Sequence, residues 1–208
     1  MTNQNDICIW KDTIECEDCS IKGKLKCHFQ RKYLFSFLGF FLVFVITSFL
    51  GIIIADYGWF LLGWVAFWLF FFELWEIRIL CSHCPYYAED AKTIHCIANY
   101  SSLKLWKYHP EPMNLSEKIQ LVIGFIILMG YPLFFLVLGG QHIILIISIL
   151  EIIVFFIFLI IRRCRSCPNF SCPLNRVKKE TVDTFLNKNP VMKKAWETSG
   201  YKISDSKS

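Results

Sequence analysis

"YLFSFLGFFLVFVITSFLGIIIADYGWFLLGWVAFWLFFFELWEIRIL" fills residues 33–80. Its apolar character breaks at "ADYG" (55–58) and then holds until Glu73. A bilayer core takes about 20 apolar residues of helix, so a run of this length makes two spans and a tight turn. Residues 119–161 repeat the pattern, broken at "GGQH" (139–142). The predicted helices cover about 34–55, 58–78, 118–138 and 142–161. The expected fold is all-α and polytopic, with four transmembrane helices arranged as two hairpins.

Composition agrees. Of 208 residues, 55% are hydrophobic and 20 are Phe, and the mean hydropathy is +0.44. Soluble domains are about half apolar at most. The first span is also longer than the roughly 7–15 apolar residues of a secretory signal, so it reads as a true span. The expected organisation is an arm at 1–32, hairpin 1 at 33–80, a loop at 81–117, hairpin 2 at 118–161 and a basic tail at 162–208.

Charge sets the expected topology. The two short turns carry Asp56 alone, while all 22 Lys and Arg lie in 1–32, 78–118 and 162–208. Positive residues stay on the cytoplasmic side, which predicts a multi-pass inner-membrane protein with both termini cytoplasmic. The net charge of +5 then serves topology and attraction to anionic lipid, and no nucleic-acid partner is expected.

All ten cysteines fall in those same segments. Clustered cysteines in a reducing compartment more often bind metal or do redox chemistry than form structural disulfides. The arm carries Cys8, Cys16, Cys19 and Cys27, enough for one tetrahedral thiolate site. "RILCSHCPYY" (78–87) and "RRCRSCPNF" (162–170) each place C-x-x-C-P at the foot of a span. A third cysteine follows each, giving Cys81, Cys84, Cys96 and Cys164, Cys167, Cys172. Each triad is one ligand short. His83 or His95 could complete the first, the two sets could pool, or each could keep an open position. The expected result is a Cys-rich cytoplasmic metal-binding cap holding zinc or an iron–sulfur cluster. Prolines directly after cysteine, as at Pro85, Pro168 and Pro173, recur in ferredoxin ligand runs.

Two equivalent hairpins, each ending in the same cysteine device, suggest a loose internal duplication. Acids inside the membrane are costly and are functional candidates by default. Glu151 lies near the middle of the last span, where a proton site or a quinone-binding group is expected. Glu73 could continue a polar path toward the cysteines, and Glu76 with Arg78 suits local pairing or snorkelling. In the loop, "NLSEK" (114–118) offers a helix cap, and Asn189 with Pro190 marks the start of a tail helix.

The quoted cysteine motifs, together with "HCIANYSSLKLWKYHPEPM" (95–113), resemble a group of uncharacterised cysteine-rich four-helix membrane proteins of anaerobic archaea and bacteria. That resemblance implies a fold and no activity. A weaker resemblance is to the membrane ferredoxin subunit of periplasmic nitrate reductase systems. That family has four helices and two cytoplasmic C-x-x-x-C-P motifs, and it passes electrons from quinol. Here both pairs are one residue closer, and the regular cysteine runs of a ferredoxin domain are missing.

The expected function is electron transfer through cytoplasmic iron–sulfur centres, with a membrane quinone or phenazine as carrier. A zinc-stabilised scaffold or assembly factor is the alternative, and cytoplasmic thiol–disulfide exchange the third. The expected partners are the lipid bilayer, a soluble cytoplasmic protein and a second copy of the chain.

Overall fold

The computed structural model describes residues 7–10, 18–96 and 98–204. Among these, four helices are long and apolar enough to cross a membrane: α1 (Arg31–Ile54), α2 (Gly58–His83), α3 (Leu115–Leu138) and α4 (His142–Ser166). Their outward faces expose Leu42, Val43, Leu62, Ile126 and Ile143 among many other apolar side chains. Such a surface would be a liability in water and matches lipid.

Each helix runs past its predicted cytoplasmic-side limit, α2 and α4 by five residues. Arg78, Arg162 and Arg163 ended the apolar run without ending the helix, because basic residues suit the negative end of the helix dipole. The start of α3 is fixed by a capping box. The Asn114 side chain accepts the Glu117 N–H at 2.9 Å, and the Glu117 carboxylate accepts the Asn114 N–H at 2.9 Å.

α1 and α4 pack antiparallel with a constant register. Ring pairs Phe37–Phe155 at 5.8 Å and Phe40–Phe158 at 4.1 Å mark one end. Thr47 donates to Glu151 at 2.9 Å in the middle, and Gly51 lies against Ile144 toward the far turn. α3 touches the other three spans. The Trp64 indole of α2 donates to the Leu128 carbonyl at 2.9 Å, Gly51 of α1 meets Leu136, and Phe125 meets Phe156 of α4. The closest backbone neighbours of α1 are α4 and α3. Its contact with α2 runs through aromatic rings, such as Phe44–Trp64 at 6.3 Å.

A second hydrophobic cluster lies beyond the bundle and draws on three separate segments. Ile7, Ile9, Ile21 and Leu25 of the arm meet Cys84 and Tyr86 of the loop and Val182, Phe185, Leu186, Met192 and Trp196 of the tail. The tail residues come from α5 (Lys179–Asn187) and α6 (Pro190–Thr198), and α6 starts at the predicted position. Asn189 precedes α6 without capping it. Its side chain instead accepts the Cys8 N–H at 2.6 Å and donates to the Phe185 carbonyl at 2.6 Å. The loop also forms an antiparallel hairpin of β1 (Thr93–His95) and β2 (Tyr100–Leu103), which the sequence pattern did not suggest.

Gly124 is a close-approach position, where any side chain would overlap the Phe71 ring. Gly124→Leu is expected to lower the melting temperature in detergent, at an overpacking cost of about 1–3 kcal/mol. Adding Phe71→Ala should restore part of that loss; a double variant no better than the single would contradict this packing. Asp183 is buried and accepts from Lys179 at 2.6 Å, Tyr201 at 2.9 Å and the Ser204 N–H at 3.1 Å. Burial alone would raise its pKa, but these donors hold it below the ordinary 3.8. The contribution is therefore full above that value and is lost as pH falls through the depressed folded pKa. Asp183→Asn should make the tail more protease-sensitive at neutral pH, and this difference from wild type should shrink under strong acid.

Candidate functional site

The two C-x-x-C-P corners have the same backbone. Each begins with a short 3-10 turn, Cys81–His83 and Cys164–Ser166, and each second cysteine is extended. Cys84 sits at φ −85°, ψ 137° and Cys167 at φ −83°, ψ 128°. The residues before the two corners match as well, with Leu80 at −117°, −54° and Arg163 at −112°, −55°. Proline causes the extension, because its ring excludes the helical region for the residue before it. Each helix therefore stops at its second cysteine, and the chain turns.

Both corners open onto one cavity of about 150 Å³, which Cys81, Cys84, Cys96, Cys164, Cys167 and Cys172 all line. The opposite wall is membrane-side and apolar, with Phe37 and Phe41 of α1, Phe72 of α2, Leu121 and Phe125 of α3 and Phe155 of α4. The cavity is thus shared by all four spans and by the segments beyond them. Six unpaired thiols at one site are soft donors suited to iron–sulfur clusters or zinc. Among the described residues no three Cys, His, Asp or Glu side chains are drawn close enough to grip a single ion. The six cysteines line the cavity without closing on one point.

The corners are held together by polar ties. The Asn169 amide donates to the Leu80 carbonyl at 3.1 Å, linking the second corner to the end of α2. Asn175 donates to the Cys167 and Asn169 carbonyls at 2.9 and 2.8 Å. The Tyr86 hydroxyl reaches the Lys26 carbonyl, and the Lys26 N–H donates to the Ser166 carbonyl at 2.8 Å, closing the arm onto both corners.

Burial pushes the cavity thiols beyond the spans upward. Cys84 and Cys167 rise well above the ordinary range, Cys172 to about 12 and Cys96 to about 11. Neighbouring sulfurs add to the burial: Cys167 and Cys96 act on Cys84, and Cys172 and Cys164 act on Cys167. Cys96 also accepts the Asn99 N–H at 3.1 Å, which works the other way. Lys26 is lowered by burial and by Arg163, opposed by Cys167 and Cys164. The cationic groups beside the cavity would be relieved by negative charge within it.

Other expected site residues lie elsewhere. Cys8, Cys19 and Cys27 pack around the second cluster outside the cavity, and Cys16 lies outside the described residues. His95 pairs with Glu89 at 2.9 Å. His83 is buried, with Nδ1 at 2.7 Å from the Glu111 carbonyl and Nε2 facing Glu117 at 3.4 Å. Neither histidine lines the cavity. Glu73 accepts from Ser102 at 3.1 Å, and Glu151 lies with Thr47 deeper in the bundle. Glu76, which the sequence suggested would snorkel, is instead buried at 9% exposure and lines the cavity. Arg163 and Asn169 line it too. A π-helical turn at Phe71–Trp75 rotates α2 just before Glu76, so regular helical spacing misplaces that carboxyl.

Comparison with protein-family models, curated proteins and solved structures finds no match. The site stands on its own chemistry.

Asn169→Ala removes the tie between the corners. It should raise maleimide labelling of Cys84 and Cys167 severalfold, read by peptide mass spectrometry, with helical content unchanged by circular dichroism. Unchanged labelling would mean that the corners are held by packing alone.

Proposed function

We propose that this chain is an integral membrane metalloprotein that passes electrons through an iron–sulfur centre held beneath the bundle. The observation that carries this reading is the cavity lined by six thiols from two helix ends, one loop and the tail. Four cysteines hold one cluster, so the six suffice for one centre, with donors to spare. A zinc ion takes thiolates at about 2.3 Å and would need the sulfurs drawn to a point. A polynuclear cluster is wider and suits cysteines that line a cavity without closing on one point. In this reading the arm, loop and tail form a cytoplasmic cap on an inner-membrane protein whose two hairpins end in the paired corners. Both termini are cytoplasmic, in keeping with the distribution of Lys and Arg.

The residues have distinct parts. Cys81, Cys84, Cys96, Cys164, Cys167 and Cys172 supply the ligands, and Lys26 and Arg163 offset the negative charge of thiolates. The aromatic wall of Phe37, Phe41, Phe72, Phe125 and Phe155 separates the centre from lipid. A flat membrane carrier, a quinone or phenazine, would approach from that side. A soluble partner would meet the exposed basic face of Arg162, Arg165, Arg176 and Lys178. Thiol–disulfide exchange fits poorly, since an exchange nucleophile needs a lowered thiol pKa and burial raises these.

Anaerobic purification with metal and sulfide analysis tests the proposal. The expected protein is brown, contains iron and acid-labile sulfide, and bleaches on reduction. Cys84→Ser and Cys167→Ser should each lose iron from the cavity centre, while Cys19→Ser should keep it. Colourless protein with stoichiometric zinc would favour the scaffold reading. Metal-free protein with a titratable dithiol would favour exchange.

A further inference from the structure

A second polar site lies deeper in the bundle, one to two turns from the thiol cavity and independent of it. Thr47 and Ser48 are adjacent on α1. Ser148 and Glu151 are three apart on α4 and so share a helix face. The register already described places the four at one level of the bundle. With Thr47 bonded to Glu151 and Gly51 against Ile144, Ser48 falls level with Ser148. Both serines are fully buried at 0% exposure. The Thr47 hydroxyl donates to Glu151 Oε1 at 2.9 Å. Glu151 Oε2, Ser48 Oγ and Ser148 Oγ are each buried with no hydrogen-bond partner.

Three orphaned oxygens at one level of a hydrocarbon-embedded bundle are costly, because lipid offers nothing to satisfy them. They belong to two helices in direct contact, so no neighbour can easily reach in. Each orphan is an oxygen with a free lone pair, and Thr47, whose hydroxyl hydrogen points to Glu151, has lone pairs free as well. The donor set is one carboxylate and three hydroxyls. Hard oxygen donors select hard cations. A single carboxylate neutralises one positive charge, and any excess charge at this depth is heavily penalised. We propose that Thr47, Ser48, Ser148 and Glu151 form an intramembrane binding site for a monovalent cation, with Na⁺ the ion that fits.

The site assigns Glu151 a role apart from any quinone. Its carboxylate balances the ion. Ser48 and Ser148 complete the shell from opposite helices, so occupancy ties α1 to α4. Thr47 orients the carboxylate. A divalent ion would leave a net positive charge, and the close approach of α1 to α4 at Gly51 and Ile144 favours the smaller Na⁺ over K⁺.

The test uses the full chain purified in detergent, with NaCl compared against KCl and choline chloride at equal ionic strength. Na⁺ is expected to raise the melting temperature saturably, and the other two salts to leave it unchanged. Na⁺ should also slow labelling of Glu151 by a hydrophobic carbodiimide at least threefold, read by peptide mass spectrometry. Ser148→Ala should keep the fold and shift half-saturation to severalfold higher Na⁺, and Glu151→Gln should abolish the response. A wild-type melting temperature that is the same in all three salts overturns the proposal, whatever the labelling does. So does a sodium response that survives in Glu151→Gln. Either result would mean that Glu151 holds no sodium ion.

Discussion

Proline placed directly after cysteine is the constraint on which the rest depends. Pro85 and Pro168 forbid helical backbone at Cys84 and Cys167, and both helices end there in the same conformation. A longer helix would carry the chain straight on past the cavity. A looser ending would leave their direction undefined. Because the break is sharp and occurs twice, the two corners face one cavity, and the neighbouring thiols of Cys96 and Cys172 meet them there. The polar ties from Asn169, Asn175 and Lys26 hold an arrangement that the backbone has already set.

The bundle above the corners supplies rigidity through shape. Aromatic rings fill the space between α1 and its neighbours, while Gly51 lets Leu136 and Ile144 approach and Gly124 admits the Phe71 ring. Dispersion between such well-matched surfaces holds helices together in a solvent that gives no hydrophobic drive. α1 and α3 each touch every other span. The polar groups are few and are placed at two levels: the Thr47–Glu151 group within the spans and Glu76 at the cavity.

Much of this was legible in the residue pattern. Four spans followed from apolar run length, the α3 cap from Asn114 and Glu117, and the start of the last tail helix from Asn189 and Pro190. The convergence of two cysteine corners was readable from their repeated motif. What escaped had a local cause each time. Arginine suits a helix C-terminus, so the spans ran on past the residues that seemed to stop them. The π-helical turn at Phe71–Trp75 shifts the phase of α2, which hid Glu76 among the snorkelling acids. His83 and His95 looked like ligands because they adjoin cysteines, but neighbouring residues in a turn point in different directions. They found Glu111, Glu117 and Glu89 instead. Asn189 looked like a helix cap and is a long-range clamp.

That clamp bears on how the molecule is assembled. Cys8 and Asn189 are 181 positions apart, so an early segment of the chain docks on a much later one. While the spans insert, the arm has neither Asn189 nor the Phe185 surface to settle on. The arm therefore settles over Cys84 and Tyr86 only once the tail helices are there to receive it. The layer next to the thiols is completed after the spans that anchor it.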